Sequence, residues 1–415
     1  MAGVTSEFRW LWSAYAISTY GTWLAFGAFP LIAVQVLHVS AFEVSVLEAA
    51  GPAVAAVVAF PLGPWAERRA KRPVMVAMDL VRFVALVSLP VAHFTGLLSY
   101  GQLLGVAVVC GAANIAFSAT SGAYLKHLVP SEQLLVASGR FEATSWSATA
   151  VGPPLGGALI GVLGPVVTVL VDAVSYLLSA FAVRRIRGSD VATTGAVRPG
   201  LLAGWRVIRR DRVLVRLFLN SVLVGGLIMA TAPLMAVLLL GQYGFPAWQY
   251  GLAFGIPALG GLVGARLSSR LVQRFGQQRV MTVFGWLRSV FPLGLAFVQP
   301  GVPGLVTVIV VEGLLITCMG VFNPVYATER LQRTPAGQAA QVLSTWSVGT
   351  KLAQASLMVV WGVLATITSP LAAITISGVL LLGTPLLLPK PPKPQYRRGT
   401  PPKQPTAPRT GAAKA

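Results

Sequence analysis

Residues 44–94 read VSVLEAAGPAVAAVVAFPLGPWAERRAKRPVMVAMDLVRFVALVSLPVAHF. An apolar run, Val44–Trp65, meets the basic turn at 66–72, and a second apolar run, Pro73–Phe94, follows. A membrane helix needs about 20 largely apolar residues. Two such runs around a short charged turn are a pair of spans. The same pattern continues in both directions. Further runs fall at Trp10–Val36, Gln102–Ala123, Phe141–Leu163 and Val166–Val183, then at Val213–Leu240, Gln249–Val272, Val280–Val298, Gly304–Tyr326, Val342–Thr366 and Pro370–Leu388. Composition agrees. The chain of 415 residues is 55% hydrophobic and 11% charged, against about a quarter charged in a soluble protein. The first apolar run is too long for a signal-peptide core and reads as a retained helix.

The formal net charge is +20. In a soluble protein that would point to nucleic acid, but here the basic residues follow the topology. They cluster at Arg68, Arg69, Lys71 and Arg72, at Lys126 and Arg140, from Arg184 to Arg212, at Arg270, Arg274 and Arg279, at Arg330 and Arg333, and in the tail. Every cluster lies on alternate connections, whereas the segment 241–248 on the other side has no Lys or Arg. The positive-inside rule then places both termini in the cytoplasm, and no nucleic-acid partner is expected. Trp10, Trp12, Trp65 and Trp248 fall at span ends, as in an aromatic belt. The Ala-, Gly-, Val- and Arg-rich composition suggests a bacterium and its cytoplasmic membrane.

The polar stretch 184–212 divides the spans into halves, 1–183 and 213–388. It ends in LLAGWRVIRRDR, which reads as a short amphipathic surface helix. The tail 389–415 is Pro-rich and basic; it cannot form a core, is expected to be disordered, and is suited to anionic lipid. The halves resemble each other. RPVMV from Arg72 matches QRVMT from Gln278, Arg82 falls on Arg288, and TSWS from Thr144 matches STWS from Ser344. Cys110 and Cys318 lie in apolar runs, and His38, His93 and His127 lie near span ends without ligand spacing. No catalytic cluster, metal site, cofactor motif or Walker sequence is visible, so an enzyme or a directly ATP-driven pump is not expected.

Two motifs carry a resemblance. The turn after the second span has Gly63, Glu67, Arg68 and Arg72 in the order of the loop signature G-x-x-x-D-R-x-G-R-R, with Glu67 in place of Asp and Ala70 in place of the second Gly. The fifth span contains Gly152, Pro153, Pro154, Gly156 and Gly157, similar to the G-x-x-x-G-P-x-x-G-G signature of exporters, with Ala148 at its first Gly. With LVPSEQLLVASGRFEATSWS and DAVSYLLSAFAVRRIR, these make the chain resemble the drug, macrolide and siderophore exporters of the major facilitator superfamily. The resemblance implies an all-α membrane fold of twelve helices in two pseudo-symmetric six-helix bundles. It implies a cytoplasmic gate at the loop signature and a pivot or seal at the Gly-Pro motif. Where that branch often has an acid in the first span, this chain has Ser18-Thr19-Tyr20-Gly21-Thr22.

Charges inside a bilayer are costly and either pair or function. Of the 12 acids, Glu48, Asp79, Glu142, Asp172 and Glu312 fall within spans. Asp79 and Arg82 share a helix face and read as a structural ion pair. Glu48, Asp172 and Glu312 are the candidates for proton coupling, because a carboxyl group removed from water takes up a proton more readily. Lys351 either pairs with Glu312 or faces a cavity separately. Trp146, Trp346, Asn220, Asn323 and Lys351 are candidates for a substrate cavity; the indoles and amides serve equally in helix packing. The expectation is a monomeric secondary transporter that exchanges protons for a small amphiphile by alternating access. An importer or facilitator of the same fold is the alternative, and a non-transport membrane protein is further away.

Overall fold

The computed structural model describes residues 6–129, 134–187, 201–335 and 338–389. The tail beyond Pro389, expected to be disordered, and residues 188–200 of the linker lie outside them. All regular structure among these residues is helical. Eleven helical segments are long and apolar enough to cross a membrane. They are α1 (Ser6–Val36), α3 (Lys71–Phe94), α4 (Tyr100–Leu128, apolar over Tyr100–Gly122), α5 (Leu134–Leu163), α6 (Pro165–Arg184), α8 (Arg212–Gln242), α9 (Ala247–Phe275), α10 (Gln277–Phe297), α11 (Val302–Gln332), α12 (Ala339–Ile367) and α13 (Pro370–Leu387). Between α1 and α3 runs α2 (Ala41–Arg68), 28 residues long; its side chains at 58–68 are outside the described set. The remaining helix is α7 (Leu201–Arg210).

Helix is what lipid requires, because it satisfies backbone N–H and C=O groups within the segment. The helix ends are set locally. Ser40 and Glu43 form a reciprocal capping box at α2, and Asp211 accepts from Val213 N at 2.7 Å to start α8. Gly164 at φ 79° turns the chain into α6, whose first residue is Pro165. The first helix of each half ends in a π-turn, Ile32–Val36 in α1 and Val237–Gln242 in α8. α5 starts at Leu134 and not at the expected Phe141. The turns before Phe141, LLVASGR, hold one charge, Arg140, and the apolar span begins at Ala137.

In the first half the neighbours run α2, α4, α3, α6, α1, α5. α1 and α4 therefore face each other across a groove floored by α3 and α6. In the second half the order is α9, α11, α10, α13, α8, α12, with a groove between α8 and α11 over α10 and α13. The halves meet along α2 with α12 and α5 with α9. This is the expected arrangement of two pseudo-symmetric six-helix bundles.

Burial is uneven along the membrane normal. At the face with uncharged connections one apolar core spans both halves, joining Ala28, Leu31 and Ile32 of α1 to Leu234–Leu240 of α8 and Trp361 of α12. At the basic face each half has its own core. One contains Phe8, Leu11, Met75 and Tyr124, the other Ile208, Leu214, Phe322 and Trp346. The halves are thus sealed at one face and parted at the basic face. α7 lies on the second half there, with Gly204 against the Gln341 carbonyl and the Trp205 ring 5.2 Å from that of Phe218.

Candidate functional site

The groove of the first half holds a polar network on four helices. On α1, Gly21 faces Ser175 and Asp172 of α6 so closely that a Cβ there would overlap the serine side chain. That approach lets the next residue, Thr22, reach α6. Its Oγ1 lies 2.7 Å from Tyr176 Oη and donates to Asp172 Oδ1 at 3.3 Å. Thr22 is exposed, whereas Asp172 is buried behind it and also accepts from Ser175 Oγ at 3.4 Å. Residues 10–36 of α1 contain no acid, and α6 brings one behind the same threonine.

Arg82 of α3 continues the network. It pairs with Asp79, and both side chains are buried. Its guanidinium lies 4.0 Å over the Tyr176 ring and 4.9 Å from the Phe117 centroid. Its Nη1 donates to Asn114 Oδ1 on α4 at 3.5 Å, and Asn114 is exposed. The groove floor therefore holds two carboxyl groups and one guanidinium, reached from the cleft through Thr22 and Asn114. Of the residues singled out in the sequence, Asp79, Arg82 and Asp172 come together here. Tyr176 and the Thr22 contact were not among those readings; the departure at 18–22 was the available signal.

The second groove is built differently. Glu312 of α11 lines a small pocket with Thr231 of α8, Pro292 of α10, and Ile374 and Gly378 of α13. Among the described residues no ion pair joins it to Lys351. Arg288, the repeat partner of Arg82, has Gly285 where Arg82 has Asp79. A Cβ at Gly285 would already meet the Leu388 side chain, which would have to move for an acid to fit. Arg288 instead donates to Asn220 Oδ1 at 2.5 Å and lies 3.5 Å from the Phe322 ring centroid. Asn220 in turn donates to the Thr384 carbonyl at 2.8 Å.

These contacts correct two expectations. Asn220 is 1% exposed and bridges α8, α10 and α13 inside the bundle. Trp346 is 3% exposed and packs edge-on against Phe218 and Tyr326, with its Nε1 donating to Ser221. Neither lines the cleft, because both point into the second half's own core. Trp146, its repeat partner, is 42% exposed, and its ring reaches Gly261 of α9 across the two halves. Asn323 and Lys351 are exposed. Glu48 is half-buried on α2, close to Tyr250 of α9.

The Gly-Pro motif lies in the seal. A Cβ on Gly152 or Gly156 would collide with Trp23 or with the Leu24 carbonyl of α1, and one on Gly157 with the backbone of Ala247 and Trp248. Pro153 and Pro154 pack on Gly251 and Gly255 of α9. Of the loop signature, the side chains of Gly63, Glu67 and Arg68 lie outside the described residues. Arg72 stands in the first turn of α3, and the buried Lys71 beside it donates to the Arg69 carbonyl at 3.2 Å. Among the described residues no three His, Cys, Asp or Glu side chains cluster as metal ligands would.

Comparison with known proteins gives a consistent result. The sequence profile of the Major Facilitator Superfamily matches residues 11–340. An uncharacterized MFS-type transporter, YvqJ of Bacillus subtilis (strain 168), is 24% identical over 234 residues, covering 53% of this chain and 55% of that protein. The chain thus spans about half the length of this curated relative. Three solved structures share the fold. The nucleoside transporter NupG has a TM-score of 0.71 at 11% identity over 92% of this chain and 98% of its own. A bacterial homologue of the iron transporter ferroportin, in an inward-facing state, has 0.72 at 16% over 92% and 100%. The POT family transporter PepTSo has 0.74 at 10% over 93% and 97%.

Proposed function

The chain belongs to the major facilitator superfamily, and from that premise we propose that it exports a small amphiphilic molecule in exchange for protons. The observation that carries the reading is the network behind Thr22. Asp172 is buried, is linked through Thr22 to the cleft, and shares the groove floor with Asp79 and a single arginine. Two carboxyl groups around one guanidinium leave one carboxyl group without a full countercharge, so a proton can be held there and released as the surroundings change. Glu312, among mostly apolar neighbours in the second groove, is the other proton candidate. Glu48 near the seal is the third.

The packing, sealed at one face and parted at the other, supports alternating access. The cleft opens at the basic face, which the positive-inside rule makes cytoplasmic, in a bacterial inner membrane with both termini inside. Release on the other side requires α5 and α9 to part along Gly157, Gly251 and Gly255. The Gly-Pro motif of exporters falls on that seal, which supports outward transport. The protein works as a monomer in this reading, since both grooves belong to one chain.

Proton movement in inside-out vesicles tests the proposal. A pre-formed pH gradient is followed while amphiphilic drugs and siderophores are added. A compound that dissipates the gradient with the native protein, and fails to do so with Asp172→Asn, is the expected result. Labelled compounds crossing the membrane with the gradient intact would instead make the protein a facilitator.

A further inference from the structure

A cation in mid-membrane is retained where it pairs or functions. α12 carries one, Lys351, near the middle of its 29 residues. Its direction follows from the residues at helical spacing around it. Ala355, Met358 and Gly362 share its stripe on one side. They pack on α2, with Ala355 and Met358 against Ala49, and Gly362 so near Ser45 that a Cβ would not fit. On the other side the stripe continues with Ser347 and Ser344, both exposed. The stripe is therefore apolar and buried where the halves are joined, and polar and exposed where they have parted.

The other sides of α12 are occupied differently. Leu352, Val360, Val363 and Ile367 form an exposed apolar stripe suited to lipid. Gly349 packs against Phe218, and Ala353 lies near Gly226, both on α8. Lys351 thus faces the cleft. It has no ion-pair partner among the described residues. The repeat does not call for a cation there either. In the register that matches Trp146 with Trp346, Lys351 falls on Val151, which is exposed and apolar.

We propose that Lys351 recognises an acidic oxygen group, such as a carboxylate, on the molecule carried in the cleft. The inference rests on the reading of that molecule as an amphiphile. An ammonium with three donors and no acceptor favours an anion over an isosteric neutral group. The bound acid would supply the countercharge that no described residue supplies at this position. The apolar body would lie towards the sealed end, where Trp23, Phe26, Tyr250 and Phe254 stand with ring centroids 4.9–6.0 Å apart.

The test uses full-length protein in phosphatidylcholine nanodiscs, with 11-(dansylamino)undecanoic acid and its methyl ester as fluorescent probes and empty nanodiscs as background. Native protein is expected to bind the acid about tenfold or more tightly than the ester. Lys351→Met should abolish that preference while ester binding stays unchanged, which also reports that the variant is folded. Lys351→Arg should keep it. Equal binding of acid and ester by native protein, or a preference that survives Lys351→Met, overturns the role of Lys351 and leaves the amphiphile reading standing. Binding of neither probe overturns both.

Discussion

Gly157→Ala isolates the seal between the halves. The added methyl would lie 2.9 Å from Trp248 Cα and 3.0 Å from the Ala247 carbonyl carbon, with the carbonyl oxygen nearer still. All three are backbone atoms, which cannot rotate away. Ordinary carbon–carbon contact is about 3.5–4.0 Å, so α5 and α9 must part by about 1 Å. Overpacking of this kind costs about 1–3 kcal/mol. The contact exists only while the halves are sealed, so the cost falls on that state alone. Its population relative to the alternative then drops by about 5- to 150-fold. At Gly161 in the same helix an added methyl would have nothing within 4 Å, so Gly161→Ala is the control. The assay places one cysteine at Thr22, with Cys110 and Cys318 replaced by serine. A membrane-impermeant thiol reagent is applied from the sealed face. Labelling should rise strongly with Gly157→Ala and not with Gly161→Ala. Equal labelling in both would refute the assignment of Gly157 to a seal that opens.

Other substitutions probe the two grooves. Arg82→Gln leaves Asp79 buried without its partner and should lower stability by about 3–5 kcal/mol, read as a fall in Tm or as aggregation on size exclusion; adding Asp79→Asn should recover part of it. Arg288→Met should cost less, about 1–3 kcal/mol in the same assay, because it strands the buried Asn220 Oδ1 but no carboxylate among the described residues; a loss comparable to Arg82→Gln would mean an ionic partner exists. Trp346→Ala should cost about 3–5 kcal/mol as a core truncation, whereas Trp146→Ala, exposed between the halves, should leave the melting curve within a few degrees of native. Thr22→Val removes the hydroxyl between Asp172 and the cleft without changing shape, so drug-dependent proton flux should fall while the Tm holds.

The spans, their alternation and the intramembrane charges were legible in the sequence, because each depends on local composition. A run of about 20 apolar residues must cross, and a basic cluster must stay on one side, whatever the rest of the chain does. The Gly-Pro motif was legible as a place of close approach but not as a seal, since its partners at Ala247 and Trp248 are some 90 residues away in the chain. Tertiary structure alone decided which of the repeated tryptophans is core and which is exposed. Trp146 and Trp346 have nearly the same neighbours in sequence and opposite surroundings in space. It also decided the fate of the missing acid in the first span. Nothing around Thr22 in the chain announces Asp172, because that contact exists only where Gly21 lets α1 and α6 touch. Local chemistry fixes what each helix must be; which side chains share a groove is set by packing among helices far apart in the chain.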